Sequence, residues 1–156
     1  MGQISVSMTS ILAARPADVY AIIADYHTGH PNILPRKNLY DLQVEQGGYG
    51  AGTIIRFKSR LFGVEQSSHH LVSEPEPGRV LREDEIDATQ KESNLFTVTP
   101  LEDGQKSRVE IAVMMDASPG LKGFVERILV PMGMPGVLRK ELKLLEAVAR
   151  QRASRR

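Results

Sequence analysis

The chain predicts an α+β fold in which a curved antiparallel sheet of about seven strands grips a long C-terminal helix, with one or two short helices after the first strand. Three observations carry this. The N-terminal residues alternate polar and apolar with a period of two. Residues 39–115 form a run of short strand-like segments separated by turn chemistry. From Gly120 onward the apolar residues fall at helical spacing.

Residues 4–12 give the first strand, with Ile4, Val6 and Met8 on one face and Ser5, Ser7 and Thr9 on the other. Arg15-Pro16-Ala17-Asp18 opens a helix, since proline fits a first turn whose N–H groups have no intrahelical partner. Val19, Ile22 and Ile23 give it an apolar stripe. His27-Thr28-Gly29-His30-Pro31 breaks this helix, and residues 32–35 suit one further short turn. Strands are expected over residues 39–45, 53–59, 64–73, 80–86, 92–99 and 108–115. The separators are the glycine-rich 46–52 segment, Leu61-Phe62-Gly63, Glu74-Pro75-Glu76-Pro77-Gly78 and Glu102-Asp103-Gly104. Links this short favour antiparallel neighbours, because parallel pairing requires long crossovers.

In the last segment Leu121, Phe124, Val125 and Ile128 read as one helical face, continued by Leu138, Leu142, Leu145 and Ala149. Pro131 and Pro135 predict a kink there, or two abutting helices. Residues 1–149 read as a single domain, and residues 150–156 as a basic, frayed tail.

Composition narrows the function classes. Twenty basic residues against 19 acidic ones leave a net charge of +1, too balanced for the basic field of a nucleic-acid binder. With 156 residues, 41% hydrophobic and 25% charged, the chain builds an ordinary core without covalent staples. The absence of cysteine removes disulfides, thiolate metal sites and cysteine nucleophiles. The N-terminus lacks the basic start and apolar run of a signal peptide, and no segment has the length of a membrane span, so a cytoplasmic location is expected.

Four segments resemble the START-like, or SRPBCC, helix-grip superfamily, which includes lipid-transfer domains and polyketide cyclases and dehydrases. Ala14-Arg15-Pro16-Ala17-Asp18-Val19-Tyr20 resembles the start of its first helix, and Gly50-Ala51-Gly52-Thr53-Ile54-Ile55-Arg56-Phe57 its glycine-led third strand. Glu76-Pro77-Gly78-Arg79-Val80-Leu81 resembles its proline turn, and Glu141-Leu142-Lys143-Leu144-Leu145 its closing helix. Their order and spacing cover residues 5–149. The resemblance implies a cavity between sheet and helix that binds a hydrophobic small molecule such as a lipid, a polyketide or an aromatic metabolite. Shape transfers through such a likeness better than chemistry does.

Strand parity suggests the cavity wall. Ile55 and Phe57, Phe96 and Val98, and Ile111 and Val113 alternate with polar neighbours, and Phe124, Ile128 and Met132 are expected to face them from the helix. Plain core packing is the simpler reading for any one of these residues. Gln66, Ser68 and His70 share the parity of Val72, which would bring an imidazole into the cavity as a polar anchor or general base. His70 is the catalytic candidate, against a bland hydrogen-bonded histidine. His27 and His30, beside Asp25, match no strong metal signature and read as loop residues near the mouth. Glu83, Asp84, Glu85 and Asp87 would send a carboxylate inward on one parity, needing Arg56 or Arg82 as partner. The simpler reading is an acidic run that blunts an exposed sheet edge or hairpin. The glycines at 47, 48, 50 and 52 lead into a strand and lack the Gly-Lys-Ser/Thr ending of a phosphate loop, so they read as a mobile loop at one end of the cavity. No metal and no cofactor is expected.

Three functions compete. A binding protein or carrier needs only an apolar wall and one or two polar anchors. A cyclase or dehydrase would also need an acid–base group, His70 or a carboxylate of residues 80–86. An interaction module would fill its interior with its own side chains. The sequence favours binding over catalysis.

Overall fold

The computed structural model describes residues 2–155. Seven strands form one antiparallel sheet: β1 (Gln3–Leu12), β2 (Leu39–Gln46), β3 (Ile54–Leu61), β4 (Val64–Glu76), β5 (Val80–Glu85), β6 (Glu92–Leu101) and β7 (Lys106–Asp116). Their spatial order is β1-β7-β6-β5-β4-β3-β2, a meander from β2 to β7 with β1 returning beside β7. Helix α1 (Pro16–Ala24) and a 3-10 turn (His30–Ile33) follow β1, and α2 (Gly120–Ser154) closes the chain. This is the helix-grip arrangement expected from the sequence.

Parity works as the period-two rule requires. Ile4 and Val6 of β1 face inward opposite Met115 and Val113 of β7, while Ile11 on the other parity is exposed. Ile55, Phe57, Val72, Leu81, Phe96, Val98, Val109 and Ile111 form the inner face with α1 residues Val19, Ile22 and Ile23. The β3–β4 hairpin turns in two residues, Phe62 and Gly63, at φ 52° and 77°. Positive φ at both central positions is the turn that matches strand twist, and glycine takes the second without steric cost.

The acidic run does not lie at a sheet edge. β5 is flanked by β4 and β6, so Glu83 and Glu85 are buried in the middle of the sheet. The glycine segment also differs from expectation, because it is packed against the end of α1. Tyr26 N–H donates to Gly48 O (2.9 Å) and Gly50 N–H to Ala24 O (2.9 Å). A Cβ on Gly48, where φ is 143°, would stand 2.0 Å from His27 Nε2, so only glycine permits this approach.

α2 runs 35 residues without interruption through Pro131 and Pro135, a rise of about 52 Å at 1.5 Å per residue. Each proline removes one backbone hydrogen bond, yet neither ends the helix, so of the two expected outcomes two abutting helices do not occur. Residues 150–154, expected as a tail, continue the helix. Among the described residues no helix is long and apolar enough to cross a membrane.

Candidate functional site

α2 spans the concave face of the sheet and leaves a cavity of about 250 Å³ beneath it. The wall is apolar: Leu34, Leu39 and Leu42 before and on β2, Ile55 and Phe57 on β3, Phe96, Ile111 and Val113 on β6 and β7, and Leu129, Val130, Met134 and Leu138 on α2. Phe57 and Phe96 therefore leave the interior open rather than filling it.

Among the polar side chains that also line the cavity are His30, Glu83, Glu92, Asn94 and Glu141. Glu83 is their hub. It projects inward from β5 and accepts from the Tyr26 hydroxyl (2.5 Å) and from Asn94 Nδ2 (3.0 Å). His30 Nε2 lies 3.6 Å away and His70 Nδ1 3.7 Å away. Burial alone would push the Glu83 carboxyl up. Contact with His70, the field of His30 and the Asn94 amide outweigh it and hold the group at about 2, so Glu83 is ionised.

Local turn chemistry puts Tyr26 and His30 there. Asp25 Oδ1 accepts from the backbone N–H groups of His27 and Thr28 (3.0 Å each), and Asp25 O accepts from those of Gly29 and His30 (3.1 and 2.7 Å). This tight turn folds His30 back into the core, where it stacks on Tyr26 with centroids 4.4 Å apart. His30 Nδ1 sits 2.7 Å from Ile23 O, which assigns the proton to Nδ1 and leaves Nε2 facing Glu83.

His70 occupies the layer behind the cavity. Its ring is 0% exposed, and Nε2 stands 3.3 Å from Glu92 Oε1 and 3.8 Å from Glu85 Oε1. Neither ring nitrogen makes a hydrogen bond of good geometry among the described residues, so charge rather than a directed bond couples His70 to its carboxylates. Burial disfavours the imidazolium, but Glu83 and Glu92 overcome it and raise the group to about 9. The partners of the buried carboxylates are thus histidines, Tyr26 and Asn94, not the expected arginines. Arg56 pairs with Glu45, and Arg82 with Asp84, on the opposite face.

Glu141 comes from α2 on the face that also buries Leu138, Leu142 and Leu145. Burial and the field of Glu83 push its carboxyl up to about 8, with no hydrogen bond to offset them. The cavity therefore holds two carboxyls in opposite states near neutral pH, Glu83 ionised and Glu141 protonated.

The residues expected at the cavity divide clearly. Ile55, Phe57, Gln66, Phe96, Ile111 and Val113 line it. Val98 is sealed in the core, and Ser68 opens only onto a smaller recess beside Glu85 and Glu92. His70 faces inward as its parity required, but it does not reach the cavity surface. Phe124, Ile128 and Met132 point away from the cavity, at 60, 49 and 69% exposure. Residues 121–134 carry apolar side chains on every side of the helix, so periodicity there does not select an inner face.

The sequence reading passed over Asn94 and Glu141 as cavity residues, preferred an edge or hairpin role to an inward one for the run holding Glu83, and placed His30 in a loop near the mouth. Glu141 had a usable signal, a carboxylate four residues before Leu145 and three after Leu138 within an apolar stripe. Among the described residues no group of three or more His, Asp or Glu side chains is arranged to hold a metal ion.

Comparison with known proteins places this geometry. Residues 3–150 match the family described as polyketide cyclase / dehydrase and lipid transport. No curated protein matches the chain. In structure it is similar to the KanY protein, with 28% identity and TM-score 0.79 over 96% of this chain and 99% of that one. It is also similar to a START superfamily protein from Mycobacterium smegmatis (17% identity, TM-score 0.72, covering 96% and 99%). A third similar structure is the Zhui aromatase/cyclase from Streptomyces sp. R1128 (15% identity, TM-score 0.79, covering 97% and 96%). The last two, at such identity, establish the fold alone. With nearly its whole length matched and its sheet closed over by α2, the chain belongs to the polyketide cyclase / dehydrase and lipid transport family and has the helix-grip fold.

Proposed function

We propose that this protein binds a small hydrophobic molecule (a lipid, a polyketide or an aromatic metabolite) in the cavity between the sheet and α2. The observation that carries the reading is the cavity itself, about 250 Å³ with an apolar wall and a few convergent polar groups. Small-molecule sites run from roughly 300 to 1,000 Å³, so this volume favours a compact ring system over a long acyl chain. Ile55, Phe57, Phe96, Ile111 and Val113 would supply apolar contact and Gln66 a polar one. His70 would act only from behind Phe57. The test is native mass spectrometry combined with a thermal-shift screen of fatty acids, sterols, flavonoids and aromatic polyketides. Retention of a compact aromatic with a matching rise in melting temperature supports the reading. Silence across the whole panel removes it.

A second reading, a cyclase or dehydrase, is favoured by one observation. Two carboxyls held in opposite protonation states at one site are an arrangement suited to acid–base work. Glu141 would then be the proton donor, and His70 would only tune Glu83. With a bound molecule in hand, Glu141→Gln separates the two. Turnover lowered by orders of magnitude means an enzyme, and a change confined to affinity means a carrier.

A further inference from the structure

The hydrogen-bonding character of the Glu141 region is one-sided. Asn94 spends one N–H on Glu83 and keeps Oδ1 as an acceptor beside its second N–H, in the cavity lining. His30 commits Nδ1 to Ile23 O and turns Nε2 toward Glu83, 3.6 Å away, so its ring offers no free donor to the cavity. Glu83 offers carboxylate oxygens, and the Tyr26 hydroxyl beside it is already donated. Glu141 lines the same space, is 3% exposed and has no hydrogen-bond partner among the described residues. Two cations line the cavity, Lys122 and Arg60, but among the described residues neither pairs with Glu141 or Glu83. His70 sits behind the surface with its charge directed at Glu83 and Glu92. Lys122 lies 19 residues before Glu141 on α2, roughly 28 Å along the helix axis, and Arg60 pairs with Glu65.

We propose that Glu141, with Glu83 and Asn94, forms a subsite for a protonated amine, so that the ligand is an apolar, ring-sized molecule bearing an ammonium group. This rests on the ligand-binding reading above and names the ligand's polar end. An ammonium has three N–H donors and no acceptor, the complement of the Glu141 and Glu83 carboxyls and of Asn94 Oδ1. A cation entering here loses its hydration and is compensated only by carboxylates, which the site supplies without further rearrangement. In the free protein a proton on Glu141 fills the same electrostatic role. Binding the ammonium displaces that proton: the Glu141 O–H bond breaks, the proton leaves to solvent, and the carboxylate pairs with the N–H donors.

The test compares three probes on one ring system by titration calorimetry at pH 7: 2-(1-naphthyl)ethylamine, 2-(1-naphthyl)ethanol and 1-naphthylacetate. The amine is expected to bind at least about tenfold tighter than the alcohol, the size of one charge-assisted hydrogen bond, with the carboxylate weakest. Runs in buffers of different ionisation enthalpy should show release of about one proton for the amine and none for the alcohol. Glu141→Gln should bring the amine to the alcohol's affinity and abolish the release, while the alcohol changes by less than about threefold. A merely structural role for Glu141 would weaken all three probes together, and that result overturns the proposal. Binding of the alcohol or the carboxylate as tightly as the amine overturns it too, while leaving the cavity reading intact. Failure of every probe together with the wider panel overturns both.

Discussion

The ring of Phe57 stands edge-on to the imidazole of His70, with centroids 4.9 Å apart and planes at 88°, and it is Phe57 that meets the cavity. The histidine singled out by parity is thereby turned into a buried counter-charge. Removing it should act on stability before it acts on binding. His70→Ala leaves Glu83 and Glu92 without their cation, a loss of about 3–5 kcal/mol for breaking a buried ion pair. Urea denaturation at several pH values checks this. His70 is raised from 6.5 to about 9, so its contribution is fully present below pH 6.5 and is lost as the pH rises through about 9. Wild type and His70→Ala should differ most at pH 6 and converge above pH 9. An equal difference at both ends would show that packing, not charge, is what His70 provides.

Glu141 has a pH signature of its own. Between its ordinary value of 4.5 and about 8, the unfolded chain has released the proton and the folded chain has kept it. Stability must therefore fall as the pH rises through this window, by at most about 1.4 kcal/mol per pH unit for one proton. Glu141→Gln should match wild type near pH 5 and exceed it at pH 8.5. Parallel stability curves for the two proteins would contradict the placement of this carboxyl beside Glu83.

The outer face of α2 gives a packing prediction. Phe124→Ser and Met132→Ser remove exposed side chains and should change stability by no more than about 0.5 kcal/mol. Leu138→Ala and Leu145→Ala empty buried positions and should cost about 2–5 kcal/mol each. Chemical denaturation of the four variants distinguishes this from a helix rotated to face Phe124 and Met132 inward, which would make the first pair costly.

The architecture was legible because the strands obey simple chemistry. Ile4 and Val6, or Ile55 and Phe57, alternate without interruption, and Gly63 and Gly78 sit at positive φ in the turns where the chain reverses. The site was legible only in part. Phe96 and Ile111 follow from parity, since one face of a curved sheet must point at the cavity. Glu83 did not follow, because β5's place in the middle of the sheet is a fact of pairing order that local sequence does not encode. Nor did the buried position of Tyr26 and His30, which depends on the Asp25 turn and on the glycine segment docking against Ala24 and Tyr26. Phe124 misled for a different reason. Around Pro131 the helix is apolar on all sides, and only the third dimension decides which apolar residues are covered.

The most direct measurement is a thermal-shift and native mass-spectrometric screen run in parallel on wild type and on Leu129→Trp, which places an indole in the cavity wall. A molecule bound only by the folded state stabilises it by about 2.7 kcal/mol at a hundredfold excess over its dissociation constant, enough to read as a shift. The account predicts a compact apolar ligand that shifts wild type, is retained at one per chain, and loses both effects in the filled variant. Equal shifts in the two proteins, or none in wild type across the panel, would contradict the claim that this cavity is the binding site.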